Sequence, residues 1–173
     1  MRVALTICLS LVLATSALAQ TKGTYPGVSN FTRVDATIAC GGATELSTLD
    51  ALKQDGFKSV INLRMASEPG ANIDQHQAKA KELGLVYVHI PFSAGSPDPK
   101  VIDQFLAAIA NTANQPVFIH CASAQRVGSV WLAKRVLQDN YSVEKATAEA
   151  RAIGLSNPGL EKFALQYIAE HKK

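Results

Sequence analysis

The 173-residue chain has no internal repeat, no low-complexity tract and no run of five like charges. Its 17 basic and 14 acidic residues leave a net charge of only +3. So weak and scattered an excess excludes the basic footprint of a nucleic-acid-binding protein. Three cysteines are too few for a disulfide-dense mini-protein. The composition, 47% hydrophobic and 18% charged, also excludes disorder and a collagen-like fibre. The histidines His76, His89 and His171 have no ligand spacing with His120, so no metal is expected, and no other cofactor. No linker is long enough to divide the chain. One domain is expected over residues 20–173.

What precedes it reads differently. Met1-Arg2 supplies a positive end, Val3 to Leu13 is almost wholly apolar, and Ala17-Leu18-Ala19 offers small residues before Gln20. This is the pattern of a secretory signal peptide over residues 1–19, too short and too unflanked for a spanning helix. Cys8 sits inside its apolar core and would be discarded. The expected product is periplasmic or secreted and leaves the membrane once cleaved. It keeps Cys40 and Cys121, which could form a disulfide, or stand as a reactive thiol and a buried bystander.

Along the mature chain, apolar runs alternate with amphipathic stretches. Gln20 to Phe31 reads as an irregular lead-in. Strands are expected at Val34–Cys40, Lys58–Leu63, Leu85–Ile90 and Val117–Ile119. Helices are expected from Thr44 or Ser47 to Asp55, from Asp74 to Leu83, and after the Asp98-Pro99 cap. Another follows Cys121, and two more run from Ser142 to Ile153 and from Asn157 to His171. Short connections between alternating strands and helices predict an α/β fold: a mostly parallel sheet of four to five strands with helices on both faces. Ligands on such sheets bind beyond the C-terminal strand ends.

One such end carries chemistry. In Val117-Phe-Ile-His-Cys-Ala-Ser-Ala-Gln-Arg-Val-Gly128 a buried strand runs out at His120, and Cys121 follows. The loop Ala122, Ser123, Ala124, Gln125 leads to Arg126 at the opening of a helix. The helix N-terminus favours a thiolate. The loop amides can curl into an anion nest, and the guanidinium offers a fork of donors to an oxyanion. Together they make a nucleophile in an anion cradle. His120 is read as a packed, hydrogen-bonded residue that orients the loop. Arg64, with Glu68 four residues on, is read as a salt bridge that stabilises its own loop.

This segment resembles the active-site loop of cysteine-dependent phosphatases with the dual-specificity, tyrosine-phosphatase-like fold. The upstream stretches Phe31-Thr-Arg-Val-Asp, Cys40-Gly-Gly-Ala-Thr-Glu, Gly56 to Arg64 and Val86 to Pro91 resemble the bacterial beta-lactamase-hydrolase-like phosphatase branch. The resemblance covers Phe31 to Leu137. It implies that Cys121 forms a phosphocysteine and that Arg126 binds the phosphoryl oxygens. Three departures stand out. Four residues separate Cys121 from Arg126 where tyrosine phosphatases have five. Ala124 stands where glycine is common, which costs ~1 kcal/mol if the position needs positive φ. Val127 replaces the usual Ser or Thr. Alignment of Pro91-Phe92 with the family pair puts Ala94 at the position of the general acid, so Asp98 is the nearest substitute, against its competing use as a helix cap.

The expected activity is hydrolysis of a phosphomonoester, with protein phosphotyrosine one candidate among phosphorylated substrates. Two alternatives remain open. The short loop also resembles those of rhodaneses, which carry a cysteine persulfide. The departures at Ala94, Ala124 and Val127 would suit a weakly active phosphate-binding module.

Overall fold

The computed structural model describes residues 20–172. The expected signal peptide lies outside the described residues. Among the described residues, six strands form one sheet: β1 (Thr21–Lys22), β2 (Thr32–Arg33), β3 (Ile38–Gly41), β4 (Ser59–Asn62), β5 (Val86–His89) and β6 (Val117–His120). Their order is β1-β2-β3-β6-β4-β5. The last four positions in that order are mutually parallel, whereas β1 and β2 add antiparallel at the β3 edge.

The mostly parallel sheet read from the sequence is present, but with more strands than the expected four to five. The difference lies before residue 38. Asp35 breaks the stretch read as one strand from Val34. Its Oδ1 accepts from the amides of Thr37 at 2.7 Å and Ile38 at 2.9 Å. This turn, driven by a side chain, folds β2 back so that Thr32 pairs with Cys40. The supposed irregular lead-in supplies β1, which pairs Thr21 with Arg33.

Among the described residues, six α-helices follow the expected order: α1 (Thr48–Gln54), α2 (Ile73–Glu82), α3 (Lys100–Ala110), α4 (Gln125–Leu137), α5 (Val143–Ile153) and α6 (Pro158–His171). Local chemistry sets their starts. Ser142 Oγ accepts from the Lys145 amide at 3.2 Å, and Asn157 Oδ1 accepts from Gly159 at 2.8 Å and Leu160 at 3.2 Å, with Pro158 at the first helical position. Neither candidate cap of α1 serves: Ser47 makes no side-chain cap bond, and Thr44 Oγ1 donates to the Gly42 carbonyl at 3.1 Å.

The period of two along β6 divides the core. Val117, Ile119 and Cys121 enter the larger cluster with Phe105, Trp131 and Ile153, built on α3 to α6. Phe118 enters the smaller cluster with Leu49, Leu52 and Phe57, under α1 and α2. Helix α4 crosses the middle of the larger layer. A Cβ at Gly128 would stand 2.7 Å from the Ala150 carbonyl oxygen and 2.8 Å from Leu155 Cβ, so α4 and α5 approach there as only glycine allows. All four parallel strands end at one edge, at Gly41, Asn62, His89 and His120.

Candidate active site

Cys121 leaves β6 at that edge. It is 1% exposed, and its amide donates to the Gly41 carbonyl at 3.3 Å. The next two carbonyls are turned outward and fastened. Ala122 O accepts from the Ala43 amide at 2.9 Å, and Ser123 O accepts from Asn30 Nδ2 at 3.1 Å. Because a peptide's C=O and N–H oppose each other, this turns the corresponding amides to the inner side of the loop. Among the described residues, the amides of Ala122 to Arg126 meet no backbone carbonyl. They are available to an anion, as a nest requires. Ala124 has φ +68, the left-handed conformation whose strain the sequence raised as a condition. It is followed at once by α4, whose first full bond runs from Gly128 N to Ala124 O at 2.9 Å.

Arg126, in the first turn of α4, is 7% exposed. Its Nη1 donates to Phe92 O at 2.7 Å, Leu63 O at 3.2 Å and Glu68 Oε1 at 2.5 Å, and its Nη2 donates to Glu68 Oε2 at 2.8 Å. A guanidinium has five N–H donors. These acceptors hold the Nη edge and leave Nε and one Nη2 hydrogen for a ligand. Burial opposes the charge of Arg126, but the Glu68 hydrogen bond and the neighbouring Cys121 sulfur raise its pKa in net. Burial also opposes the charge of Glu68, yet hydrogen bonds from Arg126 and the Met65 amide bring its pKa down to about 2. Arg64 donates to Glu68 Oε2 at 3.3 Å, Gly70 O at 2.9 Å and Pro69 O at 2.6 Å, which staples the loop after β4.

Glu68 and Arg126 border a cleft of about 360 Å³ whose walls also include Met65, Ser93, Ala94, Ser123 and Gln125. The structure brings together Cys121, the loop and Arg126, but not Asp98. That residue is exposed, does not line the cleft, and accepts from the Lys100 amide at 2.9 Å. The geometry is that of a cap on α3, the competing use read from the sequence. Val127 is fully buried, and Ser129 Oγ donates to Leu160 O at 3.1 Å.

His120 is packed as expected, stacked on Phe118 with ring centroids 5.6 Å apart. The expected hydrogen bonding is corrected: neither ring nitrogen finds a well-formed partner among the described residues. His120 points to the Phe118 side of the sheet, opposite Cys121, with the His76 ring 6.4 Å away. Burial, then the His76 and Arg64 charges, lower its pKa to about 3. Cys40 and Cys121 are both free. Cys40 pairs with Ile119 in the register, two residues short of Cys121, and burial pushes its thiol pKa up. No group of three or more metal-ligating side chains occurs among the described residues.

Two partners escaped the sequence. The sequence pairs Glu68 with Arg64 alone and gives no reason to single out Asn30. Glu68 had one available signal: it is an acid in the loop that follows the end of a parallel strand. Asn30 had none beyond its place in a turn.

A parallel-centred α/β sheet that passes from strand end to helix start through a cysteine, an amide loop and an arginine defines the tyrosine-phosphatase-like class of phosphoric monoester hydrolases. Within that class, the family model described as beta-lactamase hydrolase-like protein, phosphatase-like domain, matches residues 30–138, and the chain belongs to this family. A beta-lactamase hydrolase-like protein of Xylella fastidiosa is 28% identical over 141 residues. The match covers 77% of this chain but only 32% of that relative's length. Among solved structures, a candidate phosphatase of the DUF442 group from Shewanella putrefaciens superposes with a TM-score of 0.71 at 21% identity, covering 85% of this chain and 96% of that one. The core catalytic domain of the PP-IP phosphatase Siw14 from S. cerevisiae superposes with a TM-score of 0.68 at 22% identity, covering 83% and 88%. At these identities the structural likenesses establish the fold.

Proposed function

We propose that this chain is an exported cysteine-dependent phosphatase that hydrolyses a phosphomonoester through a phosphocysteine on Cys121. The observation that carries the reading is the outward fastening of the Ala122 and Ser123 carbonyls beside an arginine gripped by Glu68. Donors preorganised around a nucleophile are what phosphoryl transfer needs. The Cys121 thiolate attacks phosphorus, and the P–O bond to the leaving group breaks. The loop amides and Arg126 hold the non-bridging oxygens. Water then attacks the phosphocysteine, which releases phosphate and regenerates the thiolate. Protein phosphotyrosine is one candidate substrate, and the periplasm or the exterior is the proposed location.

The deciding measurement is phosphate release from an aryl phosphate by reduced residues 20–173, from pH 5 to 8, beside Cys121→Ser. Turnover in the first and none in the second is expected. A folded wild-type chain with no turnover would overturn the reading. Exposure to air is expected to reduce activity and dithiothreitol to restore it, because a thiolate nucleophile oxidises readily.

The six-residue span from Cys121 to Arg126 favours one second reading, persulfide transfer. There Cys121 would take a sulfane sulfur from a donor, and the loop amides would stabilise the persulfide. That chemistry would add a sulfur's mass to Cys121 and would leave aryl phosphates intact.

A further inference from the structure

Three segments far apart in sequence meet behind the nucleophile loop. Asn30, in the turn between β1 and β2, donates from Nδ2 to Ser123 O at 3.1 Å and to Ile153 O at 3.4 Å. Lys22 of β1 donates from Nζ to Asn30 Oδ1, and to the same Ile153 carbonyl at 2.9 Å. Gly154, at the end of α5, closes the group. A Cβ there would stand 2.7 Å from Asn30 Nδ2 and 3.0 Å from Ala124 Cβ.

We propose that Asn30 is a positioning residue of the anion nest, which holds the Ser123–Ala124 peptide so that the Ala124 N–H faces the bound oxyanion. The inference rests on the reading of the Cys121 loop as an oxyanion site, though not on which ester is cleaved. Ala124 is the strained member of that loop, at φ +68 without being glycine. Rotation of the preceding peptide would relieve it, and would also turn the Ser123 carbonyl toward the anion. The peptide before it is tied to a backbone donor, Ala43 N. The Ser123 carbonyl is tied to a side chain, so its hold depends on the residue at position 30.

Three features suit asparagine to that task. Its backbone is left-handed, φ +52, a conformation that asparagine tolerates. Its amide offers a donor and an acceptor at once. The Lys22 ammonium can only donate, so it fixes the amide oxygen on its own side and the nitrogen on the side of Ser123. The family model begins at residue 30, so Lys22 and Ile153 hold the clamp from outside the matched region.

The test is Asn30→Asp in the reduced chain. Aspartate keeps the size, the tolerance of positive φ and the Lys22 partner, but loses the Nδ2 donor to Ser123 and Ile153 and sets a carboxylate charge in its place. Two readings are taken. One is the affinity for inorganic phosphate. The other is the pH midpoint of Cys121 alkylation by iodoacetamide, followed by mass on its peptide. Phosphate is expected to bind about tenfold more weakly, the loss that follows from one unmade hydrogen bond at the nest. The alkylation midpoint is expected to rise, because misaligned amides stabilise the thiolate less. A merely structural role would lower the melting temperature and move neither reading. Lys22→Met, which frees the amide to rotate, is expected to show the same changes at smaller size.

Asn30→Gly, which keeps the backbone conformation and removes the donor without adding a charge, is read beside it, and the same changes there assign them to the lost donor. Phosphate affinity within twofold of wild type, with an unmoved midpoint, would overturn the proposal. A wild-type chain that binds no phosphate would overturn it too. One that binds phosphate but cleaves no ester would remove the phosphatase reading alone, and both Asn30 readings would still decide.

Discussion

Glu68 governs what Arg126 can offer a ligand. Its two oxygens take one hydrogen from each Nη, and its neighbours Leu63 and Phe92 supply carbonyls to the same edge. With that edge occupied, the guanidinium plane is fixed, and its remaining donors point one way. Such paired, charge-assisted bonds are geometric as well as energetic. Glu68→Gln keeps the shape but turns one acceptor into a donor that opposes an Arg126 hydrogen. The loss of a hydrogen bond between charged groups is worth ~1.5–3 kcal/mol. The expected outcome is a ~10–100-fold fall in kcat/KM for an aryl phosphate, with kcat falling. Unchanged kinetics would mean that the two carbonyls suffice to hold Arg126. The same carboxylate is a poor general acid, since at a pKa of about 2 it carries no proton near neutrality. Leaving-group chemistry should therefore show through. Alkyl phosphates are expected to react ~10²–10⁴-fold more slowly than aryl phosphates, the usual worth of a positioned acid. Equal rates on the two would mean that a proton donor reaches the cleft in the complex.

Helix α3 shows how an element can claim a residue from a site. Asp98 Oδ1 accepts from the Lys100 amide and its carbonyl accepts from the Val101 amide, so both of its acceptors start the helix. Asp98→Ala is expected to cost ~0.5–2 kcal/mol of stability by urea unfolding, and to leave kcat/KM on an aryl phosphate within about twofold. A collapse of activity at unchanged stability would return Asp98 to catalysis. The helices were legible in the sequence because caps such as Ser142 and Asn157 and the apolar period are local signals. Strands β1 and β2 were not, because two residues hold no period and their pairing depends on the Asp35 turn. The site divides along the same line. Cys121 and Arg126 were legible because one loop joins them. The contacts from Glu68 to Arg126 and from Asn30 to Ser123 span 58 and 93 residues, and only the finished sheet edge brings them together. The alternation of strand and helix could say that such an edge exists, but not which loop residues meet there.

At the scale of the whole molecule, the fold buries a titratable ring behind the edge that carries Cys121 and must answer for it in acid. His120 is 1% exposed, and its pKa falls from 6.5 to about 3, chiefly because burial disfavours the charged ring. Between those values the unfolded chain binds a proton that the folded chain refuses. Stability therefore falls as pH drops below about 6.5, by up to ~1.4 kcal/mol per pH unit from this one group. Glu68 acts in the same direction at lower pH. Its folded pKa of about 2 lies below the ordinary 4.5, so its contribution is complete above 4.5 and is lost as pH falls toward 2. The two windows separate the causes. Urea unfolding at pH 7, 6 and 5 reads His120 with little from Glu68, and a decline is expected over that range. His120→Phe retains a ring to stack on Phe118 and removes the titrating nitrogens. It should flatten the curve between pH 6.5 and 4.5 and leave the steeper loss below it. A wild-type curve already flat in that interval would mean that the His120 pocket admits the charge. In that case the stack between β6 and α2 would open to water at the back of the loop that carries Cys121.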